Sequence, residues 1–201
     1  MDTAVHCIGD GALKMTLDCY EKLRKDHKDN YLGVVHVQVT DSESIQRIID
    51  LKVVNYIQTI FLDYDSKIVD ICLGKDRAET SYQFKTLYEK AFITANGSDC
   101  PVELPDVMKG IQCAVTRCSI GSTQPYLPQQ ALSVEQAIDS FTVKAAQMSH
   151  EEDIKGSLKE GQFADFTILS QDLCACDLFK IHQVSVLSTY LSGEEVFHKA
   201  N

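Results

Sequence analysis

Four times in succession, an apolar run of strand length is followed by a turn and then by a stretch with helical periodicity. The first is TAVHCIGD, followed by GALKMTLDCYEKLRKD, which places Leu13, Leu17, Tyr20 and Leu23 on one helical stripe. The second is YLGVVHVQV; Asp41 then stands as an N-cap, and Ile45, Ile48 and Ile49 share a helical face. The third, VVNYIQTIFL, leads into a segment from about 66 to 90 that reads as helix broken near Gly74, and the fourth is FITANGSD. Repeated β-then-α units predict parallel strands joined by crossover helices. That means an α/β fold, either an open doubly wound sheet or part of a (β/α)₈ barrel.

Beyond the fourth strand the pattern predicts a helix from about Leu104 to Arg117 and a loop, SIGSTQPYLPQQ. A further helix is opened by Ser133 with Gln136 three residues on, the spacing of a capping box. Val134, Ala137, Ile138, Phe141 and Ala145 would lie on one face of it. The tail changes character: KGSLKEGQFADFTILS and QVSVLSTYLSGEEVF read as β-ribbon, with Gly156, Gly161 and Gly193 at the turns.

Charge narrows the function. A net charge of -10 and a pI near 5.0 remove the electrostatic basis for binding nucleic acid or an anionic membrane surface. Neither a signal-type N-terminal segment nor an apolar run of spanning length is present in the sequence, so a soluble cytoplasmic protein is the expectation. Cys7, Cys19, Cys72 and Cys113 sit inside apolar patterns, where a free thiol behaves as a small hydrophobe, and no disulfide framework is expected. Cys174 and Cys176 could hold a soft metal, but a C-x-C without a second pair falls short of the four ligands a zinc site takes.

In parallel α/β folds chemistry gathers at the C-terminal ends of the strands. Three of the four strands carry a metal-capable or acid/base residue there: His6, His36 and Asp99; the third carries Gln58. Alone, a strand histidine is ordinarily a satisfied core residue, and an aspartate shortly before Pro101 is ordinarily a turn. All three at equivalent positions point to a site. Two imidazoles and a carboxylate can hold Zn²⁺ or a similar divalent ion, and a carboxylate beside an acidified water can pass its proton to a leaving group. Asp99 would be that shuttle. CIGDGAL lacks the G-x-G-x-x-G order of a nucleotide site, and His27, His150, His182 and His198 read as surface residues.

VHCIGDGAL at 5 to 13, VHVQ at 35 to 38, NGSDCPVE at 96 to 103 and EEDIKGSLKEGQFADFTILSQD at 151 to 172 together resemble the metal-dependent amidohydrolase superfamily, in its YtcJ-like branch, over the C-terminal half. The resemblance implies the C-terminal part of a (β/α)₈ barrel, strands five to eight, over residues 1–150. Residues 151–201 would be a β segment of a small composite β-sandwich domain. His6 and His36 would be metal ligands, and Asp99 ligand and proton shuttle. The implied reaction is hydrolysis of a non-peptide amide C–N bond in a small molecule such as an N-acyl or N-formyl amine. The chain differs from the family pattern at Gly33, Val34 and Val35, where Arg-Ile-Glu is usual, at Thr59, where proline is common, and at Gly11, often arginine. The first-strand His-x-His pair and the fourth-strand lysine of the pattern are absent. Two expectations follow: a truncated enzyme that needs the missing N-terminal half or a homo-oligomer partner, or a non-catalytic remnant that acts by interaction or self-association.

Overall fold

The computed structural model describes residues 1–200. Four parallel strands, β1 (Thr3–Cys7), β2 (Leu32–His36), β3 (Val54–Ile57) and β4 (Ile93–Asn96), lie side by side in sequence order, with β1 and β4 at the edges. Helices α1 (Asp10–Leu23) and α2 (Ser42–Asp50) make the first two crossovers. Four short helices follow β3: α3 (Leu62–Asp65), α4 (Val69–Leu73), α5 (Lys75–Ala78) and α6 (Phe84–Lys90). The expected β-then-α rhythm is therefore present. The third strand is shorter than its apolar run suggested, because Thr59–Phe61 turns into a 3₁₀ helix. The segment expected as one helix broken near Gly74 is broken further, at Ser66 to Ile68 and at Glu79 to Gln83 as well.

Register divides the sheet into two unlike faces. Cys7, Val34 and Ile57 face the helices and join Leu13, Leu17, Tyr20, Ile45, Ile48 and Leu87 in one fully enclosed core. The stripe predicted for α1 holds through Tyr20, but Leu23, in its last turn, is 39% exposed. On the opposite face, the paired residues Ala4, Gly33, Val54 and Ile93 form one row, and His6, Val35, Tyr56 and Ala95 form the next. Gly33 has a specific reason to lack a side chain. A Cβ there would lie 2.8 Å from a ring carbon of Tyr56 and 2.9 Å from the Thr3 carbonyl oxygen.

Helix α7 (Val107–Thr116) follows β4, and the Ser133 capping box opens α8 (Val134–Phe141) with both reciprocal bonds formed. The chain breaks at Thr142 into a separate α9 (Val143–Met148), so the single apolar face expected through Ala145 is split between two helices. Met148 and Ala145 of α9 pack onto the second sheet face beside Val54, Ile93 and Ala95. In the tail, β5 (Phe166–Leu169), β6 (Val186–Leu191) and β7 (Glu194–His198) form a separate antiparallel sheet. The expected ribbon is confined to these strands, and 151–165 is turns. The sequence pattern missed a 3₁₀ helix, Leu178–Gln183, whose Ile181 is buried against Ile111 and Ala114 of α7. Among the described residues, no helix is long and apolar enough to cross a membrane.

The N-cap of α2 supplies an acid-sensitive contact. The Asp41 carboxylate accepts from the Ser44 backbone N–H at 2.7 Å and pairs with Lys14 at 2.7 Å. The Lys14 ammonium, then the Ser44 N–H, hold its carboxyl down from 3.8 to about 2. A carboxyl depressed in the folded state stabilises the fold fully above its unfolded value and loses that contribution as pH falls through the folded one. Acid unfolding followed by circular dichroism should therefore lose a component between pH 3.8 and about 2 on Asp41→Asn substitution. An unchanged acid limb would contradict this role.

Candidate metal centre

His6 stands on the open sheet face one residue before the end of β1, and His36 is the last residue of β2. His36 and Val37 both have positive φ, 79° and 50°. This conformation is uncommon outside glycine and an outlier for a β-branched residue. It turns the chain sharply as it leaves β2. The His36 ring is buried at 3% exposure and stacks on Phe61 at a centroid separation of 6.0 Å.

The hydrogen bonds around His36 fix its tautomer. Gln58 donates through Nε2 to the Tyr56 carbonyl at 3.1 Å, which leaves Oε1 to accept from His36 Nδ1 at 2.9 Å. His36 Nδ1 therefore carries the proton, and Nε2 carries the lone pair. That Nε2 lies 2.8 Å from Nδ1 of His6. The nitrogens that face one another are the two that would face a shared ion. On a tetrahedral Zn²⁺ with bonds near 2.0–2.1 Å, two ligand nitrogens stand roughly 3.3 Å apart, so a small ring rotation separates the pair enough. The outer hydrogen bond that His36 Nδ1 donates to Gln58 is the kind that orients a ligating imidazole. The imidazole pair thus fits two positions of a metal site.

Asp99 lies in the loop after β4, at the same end of the sheet, in a left-handed conformation with φ 56°. It is half-buried. Its carbonyl accepts from Val102 N at 2.8 Å, and its carboxylate makes no hydrogen bond among the described residues. Of the three residues singled out in the sequence, two are in contact and the third shares only their end of the sheet. Among the described residues no group of three His, Cys, Asp or Glu side chains is drawn together, at Cys174 and Cys176 or elsewhere.

A cavity of about 530 Å³ opens on the same sheet face, walled by Val35, Tyr56, Gln58, Ala95, Asn96 and Met148 among others. Asn96 was not singled out in the sequence, although it is a polar residue at a strand end. Its side chain accepts from Thr59 N at 3.1 Å and donates to Thr59 Oγ1 at 2.8 Å. Thr59 Oγ1 in turn donates to the Gly110 carbonyl at 2.7 Å, which anchors α7 to the strand ends. His182, expected at the surface, is half-buried and bonds through Nδ1 to the buried Gln112 side chain at 2.7 Å. His27, His150 and His198 are exposed, as expected.

Residues 1–197 match the amidohydrolase family. YtcJ of Bacillus subtilis, named as an amidohydrolase, is 35% identical over the whole of this chain and 38% of its own length. An N-substituted formamide deformylase of Arthrobacter pascens is 22% identical over 96% of this chain and 36% of its own. Among solved structures, an uncharacterized metal-dependent hydrolase of Pyrococcus horikoshii superposes with a TM-score of 0.77 at 27% identity, covering 89% of this chain and 35% of that one. The chain spans less than two-fifths of the length of the curated relatives it matches. With the fold, the paired imidazoles and the match running through both sheets, the chain belongs to the amidohydrolase family.

Proposed function

We propose that this chain supplies the C-terminal part of a metal-dependent amidohydrolase that hydrolyses the C–N bond of small N-acyl or N-formyl amines. The observation that carries the reading is the His6–His36 pair, with the His36 tautomer set by Gln58. His6 Nδ1 and His36 Nε2 would hold a divalent ion, with Zn²⁺ the best match to two imidazoles and a carboxylate. The chemistry such an ion supplies when bound is a water acidified toward neutrality and a polarised amide carbonyl. Asp99 takes the proton of the attacking water on its carboxylate and returns it to the leaving nitrogen. Val35, Ala95 and Met148 give apolar walls to the cavity on the same sheet face, which Gln58 also lines.

In this reading β1 to β4 correspond to barrel strands five to eight within residues 1–150. The antiparallel sheet belongs to a small composite domain over 151–201. The open edges of β1 and β4 and the half-covered inner face are where further barrel strands, from the N-terminal half or a second copy, would pair. One observation favours a second reading, a non-catalytic member acting by association: Asp99 stands outside any three-residue metal group.

The two readings separate when the N-terminal part of YtcJ is coexpressed with this chain and N-formyl and N-acyl amines are screened. Hydrolysis that Asp99→Asn abolishes supports the enzyme; a metal-free, inactive complex overturns it. Within the site, Gln58→Leu frees the His36 tautomer and should weaken Zn²⁺ binding about 10–100-fold by competitive titration. Unchanged affinity would contradict the orienting role.

A further inference from the structure

A second cavity, about 330 Å³ in volume, opens where the loops leave the C-terminal ends of all four strands. Phe61, which stacks on His36, forms part of its wall, so the cavity adjoins the imidazole pair. Tyr64 and Val102 continue the apolar wall. The charged groups are of one kind. Asp65 and Glu103 line the cavity and no Lys, Arg or His does.

Asp65 is half-buried and held in place. Its Oδ2 accepts from Gln38 Nε2 at 3.0 Å and from the Tyr82 hydroxyl at 2.8 Å. Its Oδ1 has no partner among the described residues, and no basic side chain pairs with it. Burial pushes its carboxyl above the ordinary range, as expected of a charge without a counterion. Gln38 is only 6% exposed. Because its Nε2 is committed to a carboxylate, which only accepts, its orientation is fixed and its Oε1 is left without a protein partner. That oxygen is not sealed inside the protein but lies open to the cavity, where an incoming donor can reach it. Two free acceptors open to the cavity, a net negative lining and aromatic walls therefore suit a ligand that donates hydrogen bonds and carries positive charge.

We propose that this cavity binds a primary ammonium group on an apolar stem, with Asp65 Oδ1 and Gln38 Oε1 as acceptors and the Phe61 and Tyr64 rings beside the stem. An ammonium has three N–H donors and no acceptor, and aromatic faces attract it further. Resting on the amidohydrolase reading, this narrows the substrate to small amides that carry a free ammonium group.

The test is equilibrium binding to the 201-residue chain, so it needs no catalysis. Hexylammonium and hexan-1-ol share a stem and differ in the head group. Hexylammonium should bind at least about tenfold more tightly, and Asp65→Asn should abolish the preference while hexan-1-ol affinity stays put. Tyr82 and Gln38 can still donate to the amide oxygen which that substitution leaves in place of Oδ2. If Asp65→Asn fails to unfold cooperatively, Glu103→Gln, at a side chain that makes no hydrogen bond among the described residues, should cut the preference about twofold through lost Coulomb attraction. Equal affinity for the two probes, no binding of either, or a preference that survives the substitutions overturns the proposal. A chain that prefers the ammonium but never hydrolyses amides retains this cavity and loses the enzymatic reading; hydrolysis without the preference does the reverse.

Discussion

Gly33→Val is expected to lower the unfolding free energy by about 3 kcal/mol, enough to threaten the fold of a marginally stable chain. The reason is where the new atoms must go. The first carbon alone would stand 2.9 Å from the Thr3 carbonyl oxygen, a backbone atom of the neighbouring strand that cannot swing away. The Tyr56 ring at 2.8 Å can move only by leaving its place on the inner face. Gly33 is also bound from the other side, because its carbonyl accepts from the buried Tyr20 hydroxyl at 2.7 Å, tying α1 to β2. A shift of β2 to relieve the clash would break that bond as well. Urea unfolding measures the cost directly, and a loss below about 1 kcal/mol would show that the sheet absorbs the side chain without strain.

Leu17→Ala is expected to cost about 2–5 kcal/mol. Leu17 has no exposed surface and belongs to the core that α1 and α2 form over the closed sheet face. Its removal deletes packing atoms and leaves a cavity that the surrounding strands and helices fill only in part. Met15, on the opposite side of the same helix and 67% exposed, is the control: Met15→Ala should stay within about 0.5 kcal/mol. Similar losses at both positions would contradict the assignment of the buried face.

The strand-and-helix alternation was legible because both periodicities report burial. Leu13, Leu17 and Tyr20 recur at helical spacing and are the residues of α1 that the sheet covers. The capping box at Ser133 and the N-cap at Asp41 were legible because the bonds that make them are local. What failed was nonlocal. VVNYIQTIFL reads as one strand, yet Thr59 is drawn out of it by bonds to Asn96 and Gly110, far along the chain. The break at Thr142 and the docking of Ile181 on α7 also depend on partners that no short window contains.

The site divides in the same way. His6 and His36 could be paired from the sequence, since strand ends in successive units are neighbours in a parallel sheet. Gln58 was visible as a third strand-end polar residue, but its part in setting the His36 tautomer depends on a bond to the Tyr56 carbonyl that only the folded chain displays. Asp99 was placed at the correct end of the sheet; the loop that carries it keeps it out of any three-residue metal group. Asp65 and Tyr82 lie in stretches without a recognisable motif, and only the folded loops bring them together with Gln38.

The proposed hydrolysis rests on His6 and His36 forming half of a divalent-metal site. Competitive Zn²⁺ titration of the purified chain decides whether they do. The expected result is one bound equivalent, an affinity at least about tenfold weaker in His6→Ala and in His36→Ala, and no change in His27→Ala, which alters an exposed histidine. Zn²⁺ binding that is indifferent to both site substitutions, or equally sensitive to His27→Ala, would contradict it.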